Sequence, residues 1–164
     1  MPNEADNLLT VTGADDRIVD LLAAITGAEE LIDFTLSLPE APVDEDGAEP
    51  SWWLVNAIDS SVETRETGKV ALYFQTAWEP PIDWANALAV KYPDLNMTLL
   101  YAEEGQGFAG LWVSNEHGTD ENTLAVTTVG YPAVWSFLTS LGYDFGWEHP
   151  DSEPYDPGTI PVIG

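Results

Sequence analysis

The chain has 164 residues, 45% of them hydrophobic, which is enough for one domain with a buried core. Its 29 acidic residues outnumber four basic ones and give a formal net charge of -25, which argues against direct binding to nucleic acid or to an anionic membrane. The lack of cysteine excludes disulfides, thiolate chemistry and cysteine-ligated zinc.

A strand and an amphipathic helix open the chain. Residues 7–13 predict the strand. Thr12 followed by Asp15 resembles a capping box, in which the carboxylate would reach back to the start of the helix. The helix is predicted over residues 15–26, because apolar residues recur there at helical spacing: Ile18, Leu21, Leu22 and Ile25.

Extended and polar segments alternate in the next part of the chain. Trp52 and Trp53 are adjacent in a predicted strand, so they should point to opposite faces, Trp53 to the helix-covered side and Trp52 to the open side. The predicted segments are a strand or extended arm over 30–39, an acidic loop over 40–50, a strand over 51–59 and a polar turn over 60–68.

The second half of the chain supplies the remaining elements. They are a central strand over 69–78, a helix from Pro80 to Tyr92, strands over 95–103, 107–114 and 123–129, and a helix that ends before Gly142. This order predicts an α+β fold, a ferredoxin-like sandwich whose antiparallel sheet carries two helices on one face, with a C-terminal helix extension. We expect one domain over 1–145 and an extended or disordered acidic, proline-rich tail over 146–164.

Two motifs make the chain resemble a known family. One is an aromatic segment of the form F-x-T-A-W-x-P-P, which begins at Phe74 and ends at Pro81. The other is a hairpin of the form E-x-G-x-x-F-A-G, from Glu103 to Gly110. With the start at residue 7, these stretches resemble the YubB-type ferredoxin-like domains of plasmid and phage proteins, over about residues 7–113. The resemblance implies the fold and a mobile-element context, and it implies no catalytic residues.

No catalytic, cofactor or metal site is expected from the residues. His117 and His149 each lie in a polar loop beside a glutamate, where a histidine is typically solvated. A hydrolase that uses two carboxylates remains an alternative, although any pair of acids arises by chance among 29. With no apolar run of about 20 residues and no basic signal-peptide region, we expect a cytoplasmic protein.

The charge itself favours a partner of opposite sign. Duplex DNA carries one charge per roughly 1.7 Å of axis, and a surface dense in carboxylates offers a similar potential to a basic groove. We expect an anti-defence protein, an anti-CRISPR that mimics DNA and blocks a host effector complex; the alternatives are an anti-restriction protein and an accessory protein adapted to high salt. The expected partner-binding residues are Asp16, Asp20, Glu29, Glu30, Asp33, Asp44, Glu45, Asp46, Glu49 and Trp52.

Overall fold

The structure, a computed structural model, describes residues 4–28, 31–34, 46, 58–77, 79–103, 108–125 and 131–140. These residues form six strands and three helices. In chain order they are β1 (Glu4–Thr12), α1 (Asp15–Ile25), β2 (Ile58–Glu66), β3 (Lys69–Ala77), α2 (Ile82–Lys91), β4 (Asn96–Glu103), β5 (Phe108–Asn115), β6 (Gly118–Ala125) and α3 (Tyr131–Ser140).

The strands form one antiparallel sheet in the order β2-β3-β1-β4-β5-β6. The first six elements follow the sequence β-α-β-β-α-β, and their strands stand in the order β2-β3-β1-β4. This connectivity is that of a ferredoxin-like domain and confirms the predicted α+β fold with an antiparallel sheet. The strands β5 and β6 continue from β4 as a meander and widen the sheet beyond the four-strand unit.

The core forms where apolar side chains alternate along the central strands. Leu9 on β1 lies opposite Leu72 on β3 and Leu99 on β4, and all three are fully buried. The buried residues of α1 and α2 belong to the same core as these strand residues. Three of its rings meet edge to face: Phe34, Phe74 and Trp84.

The start of α1 differs from the predicted capping box. The helix follows Ala14 without a side-chain cap, and the carboxylate of Asp15 faces the turn between β2 and β3 instead. Its Oδ1 accepts hydrogen bonds from Arg65 Nη1 at 2.8 Å and from the backbone N–H of Gly68 at 3.0 Å. The capping-box prediction is therefore wrong, because a guanidinium and a free backbone donor on a neighbouring hairpin compete for this carboxylate.

Two edge strands differ from the prediction in their positions. The predicted polar turn over 60–68 is wrong, since these residues belong mostly to β2 and only Thr67 and Gly68 form the turn. The predicted strand over 123–129 is shifted, because β6 already starts at Gly118. Both are edge strands with largely exposed side chains, so polar residues suit them and apolar alternation does not mark them.

The remaining elements agree with their predictions within the described residues, with one exception. The helices α2 and α3 and the strands β3, β4 and β5 lie where the sequence placed them. Buried Ile32 and Phe34 alternate as expected in 30–39, yet the described residues 31–34 form no strand. The predicted strand at Trp52 and Trp53, most of the acidic loop over 40–50, residue Trp78 and the tail over 146–164 lie outside the described residues.

Candidate functional site

A cavity of about 410 Å³ opens between the start of α2 and the strands β4, β5 and β6. This volume lies in the range of about 300–1,000 Å³ that small-ligand pockets occupy. We call it the acidic pocket, after its three carboxylates. Its lining residues are Glu79, Pro80, Ile82, Asp83, Tyr101, Phe108, Glu121 and Thr123.

The floor of the acidic pocket is the buried phenol of Tyr101. Its hydroxyl lies 2.6 Å from the hydroxyl oxygen of Thr123 and donates to Glu121 Oε1 at 3.2 Å, both on β6. Burial raises the pKa of Tyr101 well above its ordinary value, so the phenol stays protonated and remains a donor. Its ring meets Phe108 edge to face at 6.3 Å between centroids.

A glycine allows Tyr101 to reach β6. Gly110 lies opposite Tyr101 on β5, and Thr123 lies opposite Gly110 on β6, so the three residues form one row across the sheet. A Cβ at position 110 would come within 2.5 Å of Tyr101 Cε2 and closer still to Cζ and Oη. The tyrosine therefore crosses β5 over a position without a side chain.

The connection from β3 to α2 places the other wall. The hydroxyl of Thr76 donates to the backbone oxygen of Glu79 at 2.7 Å, and the N–H of Ile82 donates to the oxygen of Pro80 at 2.9 Å. These bonds fix the turn that carries Glu79 to the rim and Asp83 into the first turn of α2. The carboxylates of Glu79, Asp83 and Glu121 are exposed at the rim above an aromatic and apolar interior.

The positive charges lie at the opposite end of the sheet, where β1 ends. Arg17 donates from Nε to Asp94 Oδ2 at 2.7 Å and from Nη2 to Asp94 Oδ1 at 3.2 Å, and it pairs with Asp20 at 3.2 Å. The hydrogen bond from Arg17 holds the pKa of Asp94 below its ordinary value. Arg17 and Lys91 both lie over the ring of Tyr92, at 5.3 and 5.8 Å from its centroid.

Arg65 and Lys69 complete this group. Arg65 pairs with Asp15 at 2.8 Å, and Lys69 lies opposite Thr12, the last residue of β1. We call this the basic end: Arg17, Arg65, Lys69 and Lys91, which are all the lysines and arginines of the chain. The other end, where β1 begins and β4 ends, we call the acidic end: Glu4, Asp59, Glu79 and Asp83, all of them exposed.

Four of the ten predicted partner-binding residues are described. Asp16 and Asp20 are exposed on α1, but Asp20 pairs with Arg17, which reduces its free charge. Asp33 is half-buried and its backbone N–H donates to Ile25 at the end of α1, and Asp46 is exposed. The six that lie outside the described residues are Glu29, Glu30, Asp44, Glu45, Glu49 and Trp52.

The sequence analysis did not single out the acidic pocket. Tyr101, Glu121 and Thr123 come from two strands that are not adjacent, so their convergence depends on strand order and register. A signal was present in the two motifs behind the family resemblance, because Pro80 belongs to the first and Phe108 and Gly110 to the second.

Two further features of the described residues concern metal-ligand clusters and membrane-spanning helices. His117 is exposed in the turn between β5 and β6, 3.5 Å from Glu116. Within the residues that the structure describes, no group of three or more histidine and carboxylate side chains is arranged to hold a metal ion. Of the described helices, none has the length and apolarity needed to cross a membrane.

The element order and strand order of the described residues are those of a ferredoxin-like α+β domain widened by two strands. Residues 58–126, from β2 to the end of β6, match a family described as "Ferredoxin-like domain in Api92-like protein". This match supports the expected ferredoxin-like fold and includes every residue that lines the acidic pocket. Comparisons with curated proteins and with solved structures gave no significant match.

Proposed function

We propose that this protein binds a basic, nucleic-acid-binding protein and occupies the surface that would hold nucleic acid. The expected setting is a phage or plasmid, and the expected target is a CRISPR effector complex of the host cell. One observation carries the proposal: a net charge of -25 whose few compensating bases all lie at the basic end. The 29 acids therefore outnumber the bases most strongly away from the basic end.

The distribution of charge favours electrostatic steering of a basic partner over catalysis as the role of these carboxylates. Two unit charges 4 Å apart in water interact by about 1 kcal/mol, so single exposed carboxylates contribute little, but many of one sign build a field of several kT. Such a field raises association rates with a basic groove by about 10- to 1,000-fold at low salt. The protein acts in this proposal as a binding module without catalysis.

The finer architecture is consistent with a surface of this kind. We infer that α1 and α2 cover one face of the sheet, since their buried residues share a single core with the inward residues of β1, β3 and β4. Among the described strands, β2 and β6 are the edges of the sheet, and each carries exposed acids: Asp59, Glu63 and Glu66 on β2, Asp120 and Glu121 on β6.

The test is a binding and competition assay at moderate salt. Purified CRISPR effector complexes and restriction enzymes are each mixed with the protein, and their DNA binding is measured as its concentration rises. We expect one class of effector to bind the protein and to lose DNA in proportion, with weaker binding as salt increases. A protein that folds only in molar salt and binds none of these effectors would instead be adapted to salt.

Charge reversal separates a specific surface from bulk charge. One variant replaces Asp44, Glu45, Asp46 and Glu49 by lysine, and a matched variant replaces Glu63, Glu66, Glu116 and Asp120. Both change the net charge by the same amount, and the second set lies on exposed positions of the edge strands and their turns. We expect the first variant to lose competition. The second, whose acids add to the general negative field but lie outside the docking surface, should keep most of it. Equal loss in both would contradict a defined docking surface over 44–49.

A further inference from the structure

We propose that the acidic pocket binds the guanidinium of a single arginine side chain that the partner inserts. The identity of the partner rests on the proposed function, whereas the preference of the pocket for an organic cation on an apolar stem rests on its own lining.

The interior of the pocket suits the stem and the flat head of such a side chain. Pro80 and Ile82 form an apolar wall, and the rings of Phe108 and Tyr101 stand edge to face beside them. A guanidinium stacks on aromatic faces and is weakly hydrated, so it loses less on entering such a site than an ammonium does. The cavity of about 410 Å³ has room for this side chain together with some water.

The rim supplies the complementary charge. Three carboxylates, those of Glu79, Asp83 and Glu121, surround the opening, and none of the four basic residues of the chain lines it. The start of α2 contributes a partial positive charge of about half a unit, which three carboxylates outweigh. Glu121 is held by the hydrogen bond from Tyr101, so one acceptor is oriented before a ligand arrives.

The pocket is thus more than a group of acids. The ring of Tyr101, 1% exposed, closes the bottom of the pocket, and Gly110 leaves room for that ring to lie over β5. A surface of carboxylates without this cavity would attract cations mainly according to their charge. The cavity predicts discrimination between cations of equal charge, which can be measured.

The experiment uses the full chain and three small probes: N-acetyl-arginine amide, N-acetyl-lysine amide and N-acetyl-citrulline amide, the last a neutral analogue of the first. Binding is followed by NMR at the rings of Phe108 and Tyr101. We expect saturable shifts with the arginine probe, weaker binding of the lysine probe, and no binding of the citrulline probe. Shifts spread over exposed acids without saturation at Phe108 would overturn the inference.

Matched variants locate the cation. Asp83→Asn with Glu121→Gln should lower the affinity for the arginine probe about tenfold, a typical effect of removing close charge partners. Glu116→Gln with Asp120→Asn removes the same charge, and Asp120 points away from the pocket because it neighbours Glu121 on the same strand. This control should change the affinity less than about twofold. Equal losses in both variants would refute the pocket, and tighter binding of the lysine probe than of the arginine probe, which has the same charge, would refute the guanidinium ligand.

The two proposals can fail separately. If the Asp83→Asn, Glu121→Gln variant displaces DNA from its target as well as the original chain does, the pocket inference is wrong and the proposed function stands. If the pocket binds the arginine probe but no basic protein binds the chain, the proposed function is wrong and the cation site stands.

Discussion

Replacing Gly110 by alanine tests whether the crossing of Tyr101 over β5 is as tight as the structure shows. A glycine-to-alanine change inside a strand normally stabilises a protein by about 0.5–1 kcal/mol. Here the new Cβ would come within 2.5 Å of the tyrosine ring, where ordinary contact begins at 3.4 Å, so the ring must move by about 1 Å. Overpacking costs about 1–3 kcal/mol, and each hydrogen bond lost from the Tyr101 hydroxyl costs about 0.5–1.5 kcal/mol. We expect a net loss of about 2–4 kcal/mol in the free energy of unfolding.

Urea denaturation measures this loss, and a second background isolates its cause. Tyr101→Leu removes the ring, so Gly110→Ala in that background should no longer destabilise and should recover the small gain typical of alanine in a strand. Gly110→Ala is therefore expected to destabilise the protein when Tyr101 is present and to stabilise it slightly when residue 101 is leucine. Gly110→Ala that stabilises the original chain, or that destabilises both backgrounds equally, would refute the close packing of these two residues.

Three further predictions follow from the core and the ion pairs. Phe34→Ala should lower the free energy of unfolding, measured in urea, by about 3–5 kcal/mol. Phe34 is fully buried, and its ring centroid lies 4.8 Å from that of Trp84. A loss below about 1 kcal/mol would contradict this packing. The pKa of Asp94 is lower in the folded than in the unfolded chain, so its ion pair stabilises the fold above the ordinary pKa of 3.8, and this stabilisation is lost as the pH falls below that value. Asp94→Asn should therefore reduce the dependence of the urea midpoint on pH in this range. An unchanged dependence would show that the pair with Arg17 does not contribute to stability. Raising salt from 0.1 to 1 M shortens the screening length from about 10 to 3 Å, so the melting temperature at neutral pH should rise, and a temperature independent of salt would show that self-repulsion is negligible.

The sequence predicted the central elements well because burial shapes their pattern. Along β3, Leu72, Phe74 and Thr76 share the buried face, and this alternation is visible in the residues themselves. The strand β2 gives no such signal: among the described strands it pairs with β3 alone, and Val62 is 51% exposed. An edge strand gains its backbone hydrogen bonds without burying many side chains, so its residues resemble those of a polar turn.

The candidate site was less predictable than the fold because it depends on pairing between distant segments. Tyr101 meets Thr123 only because Gly110 separates them in the register of β4, β5 and β6. This register cannot be predicted from any short stretch of about ten residues, because it depends on how three strands pair. The motifs marked Phe108 and Gly110 as unusual, but the reason for the glycine appears only when the ring that lies over it is known.

The position of the basic residues bears on why the chain is so acidic. If the acids served salt tolerance alone, four bases scattered among them would reduce self-repulsion more than four bases gathered at one end. Instead, one ion pair connects Arg17 on α1 with Asp94, just before β4, and another connects Arg65 on β2 with Asp15 on α1. Lys91 lies over the ring of Tyr92, as Arg17 does. The opposite end, the acidic end, carries no lysine or arginine, and the rim residues Glu79 and Asp83 of the pocket lie there. Under the proposed function, a basic partner would meet the acidic end of the molecule, which also holds the cavity proposed for one of its arginines.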